Sequence, residues 1–480
     1  MPTAKLTDGR TVDYLTPHIG EGGMKRVYFT TDKKSVVCFF KDKSTGQDPN
    51  RMERLKAILE KYNPTLDTKT GNELAELYCW PTGIITSPEL GVMTPTYASN
   101  FFFASGRFKG KDKEGKWFSS EKLRKLLPDD ERGNWLGYLQ LCMKMARAIR
   151  KMHLTGLAHS DLSSKNVLVD PKGGNCAVID IDSLVVPRRF APDVLGTPGY
   201  IAPEVLATQR LPVGDPNRKL PEISTDLHAL PVLIYEYLLR RHPLRGPKVN
   251  SVDSAEEDEF LSMGPKALFI EHPTDKSNRP REGIKVPVDT LGPTGGINDR
   301  LYLPGLFRQA FVDGLHNPPR RPTAQMWEQA LYRTADLLIP CGNGSCPEKW
   351  FVYIEGQSQQ CPWCNWKLNE PLPVLDFMFA PRKGQYREEG HCLVGFNQRP
   401  LNLWHVNRGI YPTEGVDRTT QAYVAKHQGQ WILINKHLDT MISPSGNPVP
   451  KGQACVLKEG SEILLSNDDK GRMVSIRMVR

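Results

Sequence analysis

Hydrophobic and polar positions alternate differently along the chain, dividing it into a β-rich start, a helical middle and an all-β end. Thr11–Ile19 and Arg26–Thr30 flank a glycine turn. Ser35–Lys41 is a short apolar run with β-branched and aromatic residues, which predicts a strand. Asp48-Pro49 has the form of a helix start, with Asp as N-cap and Pro in the first helical position. Met52, Leu55, Ile58 and Leu59 give that helix one apolar face, and Asn63-Pro64 ends it. Ile84–Thr86 and Gly91–Thr94 predict two further strands, whereas residues 104–118 are polar, glycine-rich and basic, as in an exposed loop. In Trp135–Leu154, apolar residues from Leu136 to Met152 recur at spacings of three and four, which predicts a long helix. Asn166–Val169 and Ala177–Ile181 predict strands joined by a Pro-Lys-Gly-Gly turn, and Asp226–Arg240, apolar nearly all round, predicts a buried helix. Residues 245–300 have little periodicity. Leu301–Leu315 and Thr323–Leu338 return to helical patterns, and after Pro371 short strands separated by turns run to Arg480.

The length of 480 residues suits two to four domains. Lys plus Arg exceed Asp plus Glu by 63 to 54, a mild excess spread over the whole chain that does not argue for nucleic acid. With 39% hydrophobic residues, wholesale disorder is excluded. No run of 18 apolar residues occurs, so no membrane helix is expected. Met1–Asp8 lacks the apolar core of a secretory signal, which makes the cytoplasm the expected location. In that reducing compartment, paired cysteines point to metal rather than disulfides.

The strongest chemical signal is His159-Ser160-Asp161-Leu162-Ser163-Ser164-Lys165-Asn166, followed after fourteen residues by Asp180-Ile181-Asp182. Phosphoryl transfer needs such a set: one carboxylate to orient a hydroxyl and take its proton, and a second carboxylate with an amide oxygen to hold Mg²⁺ against the phosphates. Gly196-Thr197-Pro198-Gly199-Tyr200-Ile201-Ala202-Pro203-Glu204 follows. Together, residues 159–204 resemble the catalytic and activation segments of eukaryotic-type protein kinases. The resemblance spans about residues 12–335. It implies that Asp161 is the catalytic carboxylate, that Asn166 and Asp180 hold Mg²⁺ (or Mn²⁺), and that Asp226 supports the catalytic loop from below. It further implies that Arg321 pairs with Glu204, and that Thr197, in its Gly-Thr-Pro-Gly-Tyr context, bonds the catalytic Asp and favours Ser/Thr substrates.

Upstream, Gly20-Glu21-Gly22-Gly23-Met24-Lys25-Arg26-Val27 resembles a glycine-rich loop whose amides donate to phosphates. The resemblance implies ATP contacts from Gly20, Gly22, Gly23, Val27, Lys41 and Met93, with Lys41 the phosphate-holding lysine. Lys41 needs a carboxylate partner on the following helix, and Glu53 and Glu60 are both available. Pro64 lies eleven residues after Glu53 but four after Glu60, which favours Glu53. Four departures stand out. Lys25 occupies the place of a third glycine, which alters loop flexibility or adds a phosphate contact. Ser160 replaces an Arg, and Asp182 replaces the Gly of Asp-Phe-Gly. Ser163 stands where a Lys is usual, and Lys165 could reach the transferred phosphate instead.

Cys341-x4-Cys346-x14-Cys361-x2-Cys364 can close a tetrahedral Zn²⁺ site, and the segment resembles a zinc ribbon. The tail alternates around glycine turns and resembles a forkhead-associated domain. It lacks the Ser-Arg-x-His signature for phosphothreonine, the nearest stretch being Arg418-Thr419-Thr420-Gln421-Ala422. A sandwich with no phosphopeptide site remains the other reading of the tail.

The expected fold class is therefore α+β and multidomain. A bilobal protein-kinase fold is expected over 1–335 (N-lobe 1–100, C-lobe 101–335), a zinc ribbon over 336–370 and an all-β forkhead-associated-like sandwich over 371–480. This layout resembles bacterial eukaryotic-type Ser/Thr kinases of the tellurite-resistance-associated triad. That resemblance implies a PP2C-type phosphatase and a von Willebrand factor A protein as partners beside the protein substrate. The expected activity is Ser/Thr protein phosphorylation with ATP, Mg²⁺ and structural Zn²⁺. The alternative is a pseudokinase scaffold that binds nucleotide and partners without phosphoryl transfer.

Overall fold

The structure, a computed structural model, describes every residue except 23, 42–48, 187, 188, 191, 193, 213, 295–300 and 383. The chain divides into two units. One comprises Met1–Gly133, Gly137–Ile284 and Phe307–Glu328; the other comprises Asn134–Leu136, Lys285–Leu306 and Gln329–Arg480.

In the first unit, β1 (Thr3–Leu6), β2 (Thr11–Asp13), β3 (Gly20–Glu21), β4 (Lys25–Phe29), β5 (Ser35–Phe40), β6 (Gly83–Ser87) and β7 (Gly91–Pro95) form one sheet. Their order is β2-β1-β6-β7-β5-β4-β3, every neighbouring pair antiparallel. Strand β1 is absent from the sequence-based expectation: its four residues carry only Ala4 and Leu6 as apolar positions, too few for a period, and pairing with β2 and β6 fixes it. Successive side chains of a strand point to opposite faces, so β5 serves two cores. Val37 and Phe39 pack with Ala4, Leu6, Tyr14, Ile85 and Met93 on one face. Cys38 and Phe40 pack with Leu55, Ile84, Leu90 and Val92 on the other. Leu55 comes from α1 (Pro49–Leu59), and its complete burial is worth about 2 kcal/mol. Asp48, expected as the N-cap of α1, lies outside the described residues.

Helix α2 (Trp135–Leu154) has the expected bounds, and Leu139, Ala146, Ile149 and Met152 on its apolar face are fully buried. β8 (Val167–Asp170) and β9 (Asn175–Val178) form the expected hairpin. Helix α3 (Ile223–Leu239) starts three residues before Asp226, because Glu222 and Thr225 form a capping box ahead of it. A helix at Ala255–Met263 lies in the stretch where periodicity predicted none. Its acidic first turn, Glu256, Glu257 and Asp258, obscures the apolar period but suits a helix N-terminus, and Ser254 caps it by accepting from the Glu257 N–H at 3.2 Å.

The second unit holds the end of α4 (Ala324–Asp336) and a hairpin of β10 (Leu338–Pro340) and β11 (Trp350–Val352). The remaining strands are β12 (Leu372–Arg382), β13 (Gln385–Val394), β14 (Arg399–Leu401), β15 (Ala422–His427), β16 (Gln430–Asn435), β17 (Ala454–Val456), β18 (Glu462–Leu464) and β19 (Arg472–Val479). They make two four-stranded antiparallel sheets, β13-β12-β19-β18 and β14-β15-β16-β17. At eleven residues, β12 is longer than the short strands expected. The buried Asp336 carboxylate accepts from His391 Nε2 (2.9 Å), His405 Nε2 (3.1 Å) and Arg399 Nη2 (3.0 Å). No helix among the described residues is long and apolar enough to cross a membrane.

Glu236 is buried near the C-terminal end of α3, and its carboxylate accepts the Tyr200 hydroxyl at 2.6 Å. Burial pushes its carboxyl up from an ordinary 4.5 to about 8, against the opposing pull of the Tyr200 bond and Arg245. A carboxyl raised on folding adds stability that is full below its unfolded value and lost as pH climbs through the folded one. Thermal melting of the wild-type chain should therefore show a midpoint that falls between about pH 5 and about pH 9. Glu236→Gln, which keeps an acceptor for Tyr200, should remove most of that fall. Equal slopes in the two proteins would contradict the burial argument.

Candidate active site

The loop between α2 and β8 is shaped by Asp226. Its carboxylate, in a residue only 1% exposed, accepts the backbone N–H of His159 at 2.7 Å and of Ser160 at 3.2 Å, and His153 Nε2 at 3.0 Å. These bonds hold Ser160 at φ 66°, a left-handed conformation that a non-glycine residue keeps only where its surroundings enforce it. His159 Nε2 donates to the Ile179 carbonyl at 2.9 Å, tying the loop to the chain just before Asp180. Within the loop, Asn166 Nδ2 donates to the Asp161 carbonyl (2.8 Å) and to Asp161 Oδ2 (3.0 Å). The other carboxylate oxygen, Asp161 Oδ1, is buried with no hydrogen-bond partner among the described residues. It is therefore left able to accept from an incoming hydroxyl.

Asp161, Asn166 and Asp180 line a cavity of about 770 Å³, together with Gly20 and Gly22 of the glycine turn, Lys25 and Val27 of β4, Cys38 and Phe40 of β5, and Asp182. That volume suits a cofactor-sized ligand. Lys25 Nζ reaches across the cavity to Asp180 Oδ1 at 2.7 Å and to both oxygens of Asp182 at 2.8 and 2.9 Å. Burial alone would lower the Lys25 ammonium, but the charges of Asp182 and Asp180 outweigh it and hold the lysine protonated. Burial raises Asp180, yet the charge and hydrogen bond of Lys25, with smaller help from His159 and Ser183, keep its carboxyl below the usual range. The carboxylates of Asp180 and Asp182 and the amide oxygen of Asn166 are hard donors of the kind that hold Mg²⁺.

Several sequence-predicted residues fall elsewhere. Lys41 does not line the cavity: it follows Phe40 in strand alternation, so it points away, and its Nζ pairs with Glu21 at 2.7 Å. Glu53 is 65% exposed and nearest Arg189 at 4.0 Å, and Glu60 is also exposed, so the expected pair with Lys41 does not form with either. Met93 belongs to the core on the opposite sheet face, while its strand neighbours Val92 and Thr94 line the cavity. Lys165 is exposed and outside the cavity lining. No hydrogen bond joins Thr197 to Asp161 among the described residues, although both line one small pocket. Gly23 lies outside the described residues. Arg321, in contrast, meets Glu204 in a two-pronged ion pair at 2.8 and 2.7 Å and donates as well to the carbonyls of Ser224, Gly314 and Leu315.

In the second unit, the sulfurs of Cys341, Cys346, Cys361 and Cys364 all lie within 4.8 Å of one another. Cys341 and Cys364 are 3.5 Å apart and Cys346 and Cys361 4.0 Å. Four thiolates at about 2.3 Å from one tetrahedral Zn²⁺ stand about 3.8 Å from each other, so the donor set fits such an ion.

Residues 130–290 match the family model of the protein kinase domain. Among curated proteins, the chain is 31% identical over 124 residues to the serine/threonine-protein kinase PSK1 of Saccharomyces cerevisiae, covering 24% of this chain and 8% of that one. It is likewise 31% identical over 113 residues to the serine/threonine-protein kinase PkaB of Streptomyces coelicolor, covering 21% and 25%. The chain thus spans a quarter or less of the length of these relatives. A solved structure, the Toxoplasma gondii specific rhoptry antigen kinase domain, aligns with 56% of this chain and 80% of its own at 16% identity and a TM-score of 0.34. The family match places a protein kinase domain over residues 130–290, and both curated relatives are serine/threonine-protein kinases.

Proposed function

We propose that the chain transfers the γ-phosphate of MgATP to serine or threonine hydroxyls of proteins. The observation that carries this reading is the loop fixed by Asp226, which presents Asp161 and Asn166 to the cavity that holds Asp180. In this reading Asp161 Oδ1 accepts the substrate hydroxyl and takes its proton, while Asn166 and Asp180 hold the divalent ion. The ion, when bound, neutralises charge on the phosphates. The amides of the Gly20–Gly22 turn cover the phosphates from above. The two-pronged pair of Arg321 with Glu204 braces the segment on which the protein substrate rests. A nucleotide-binding scaffold without transfer is the second reading, favoured by the placement of Lys41 outside the cavity.

Beyond catalysis, we read the cysteine quartet as a structural zinc ribbon and the two four-stranded sheets as a forkhead-associated-like sandwich that recognises a protein partner. Arg418 donates within its own loop to the Thr413 carbonyl at 3.3 Å and lies 6.0 Å from the Trp404 ring, which supports a tail without the usual grip on phosphothreonine. A PP2C-type phosphatase and a von Willebrand factor A protein are the proposed partners. A thiolate quartet favours a reducing, cytoplasmic setting.

Asp161→Asn should retain MgATP binding while lowering transfer to a peptide substrate at least about a hundredfold, the lower range for loss of a general base. Transfer at the wild-type rate would remove Asp161 from the reaction. Elemental analysis of the purified chain should find about one zinc per molecule. A metal-free preparation with the same compactness and melting behaviour would rule out a structural ion.

A further inference from the structure

We infer that Lys25, on the second strand of the glycine hairpin, is the lysine that holds the nucleotide phosphates, and that Lys41, just beyond β5, is not. The inference rests on the kinase reading above and fills the one role that reading leaves vacant once Lys41 is found outside the cavity.

Strand register carries the argument. β4 and β5 are antiparallel, with Lys25 opposite Phe40 and Val27 opposite Cys38. Residues directly opposite one another share a sheet face. Val27, Cys38 and Phe40 all line the cavity, so Lys25 stands on the cavity face at the level where β5 offers only the Phe40 ring. Its Nζ is 6.0 Å from the centre of that ring. Lys41, one residue beyond Phe40, is turned away by the same alternation.

Cavity chemistry agrees. Lys25 and Arg51 are the basic residues among those lining it. The Arg51 guanidinium is stacked on Phe40 at 4.6 Å, whereas the Lys25 ammonium sits on the two carboxylates of the metal loop. Its side chain is 19% exposed, open to the cavity and anchored at its base. A point charge held there stands beside the proposed metal ligand Asp180, where nucleotide phosphates bridged by a divalent ion would arrive.

The helix next to the cavity also fits. Buried residues on α1 include Arg51 and Arg54, at 3% and 4% exposure, while Glu53 faces solvent. No α1 carboxylate is therefore available to a cavity lysine. Asp182, with a side chain 6% exposed, supplies the counter-charge instead. This gives a physical reason for an acid where a glycine would otherwise follow the metal-binding Asp180: a lysine on β4 needs its carboxylate from below rather than from the helix.

The test uses the purified full-length chain, with MgATP and adenosine binding measured by calorimetry and phosphoryl transfer measured in parallel. Lys25→Met should weaken MgATP binding at least about tenfold while leaving adenosine within about twofold, as expected for loss of a charged hydrogen bond to phosphate. Transfer should fall at least about a hundredfold, and Lys41→Met should cost at least about ten times less than Lys25→Met in both assays. Because a methionine facing two acids, one of them buried, can unfold the protein, Lys25→Arg serves as the second variant. It keeps the charge and the ion pairs but replaces a point charge with a planar fork, and should still lose transfer about tenfold or more. Equal losses of ATP and adenosine affinity in Lys25→Met, wild-type transfer in Lys25→Arg, or a larger loss in Lys41→Met would each overturn the assignment. A wild-type chain that binds MgATP through Lys25 yet transfers no phosphate would refute the kinase reading and leave the Lys25 assignment standing.

Discussion

One part-buried ion cluster links the sheet to the chain that follows β9: the Lys25 ammonium against the carboxylates of Asp180 and Asp182. Removing one member of such a cluster leaves an uncompensated charge in a poorly solvated place, which costs far more than the cluster itself gains. It therefore constrains everything around it. β4 must present Lys25 to the cavity, Asp180 must hold its left-handed φ of 63°, and Asp182 must turn inward, away from water. The loop between α2 and β8 is joined to this arrangement through His159, which holds the Ile179 carbonyl, and through Asp226, which holds His159 and Ser160. A short chain of hydrogen bonds thus runs from the helix beneath the loop to the strand above the cavity.

Such a cluster also changes what the neighbouring helix must do. With the lysine on β4 and its counter-charge on Asp180 and Asp182, α1 contributes packing and cations rather than a carboxylate. The Arg51 guanidinium on Phe40 lines the cavity as a flat cation on an aromatic face. The pairing of Lys25 with acid does not depend on how α1 is seated, because none of its members belongs to α1.

Much of this was legible in the sequence, and what was not has identifiable physical causes. Asp161, Asn166 and Asp180 stand out by their spacing, and Glu204 and Arg321 by the resemblance of their motifs to those of protein kinases; the fold gathers the first three around one cavity. Lys41 was misleading because adjacency to an apolar strand says nothing about which face a side chain takes. Pairing Val27 with Cys38 and counting by twos turns Phe40 inward and Lys41 outward. The same holds for Glu53. At 100° per residue, Arg51 falls about 40° from Leu55 and Arg54 about 40° from Ile58 on the buried face, while Glu53 falls on the opposite side. Strand β1 and the helix at Ala255–Met263 were hidden for other reasons, the first by its brevity and the second by its acidic first turn. The cysteine spacing marked the four sulfurs as one donor set, and the fold places them within 4.8 Å of one another.

The most direct measurement is a crystal structure of the full chain with Mg²⁺ and a non-hydrolysable ATP analogue. The account predicts Lys25 Nζ within about 3 Å of a nucleotide phosphate oxygen, with Lys41 still outside the cavity. Lys41 on the phosphates, with Lys25 left only on Asp180 and Asp182, would contradict it.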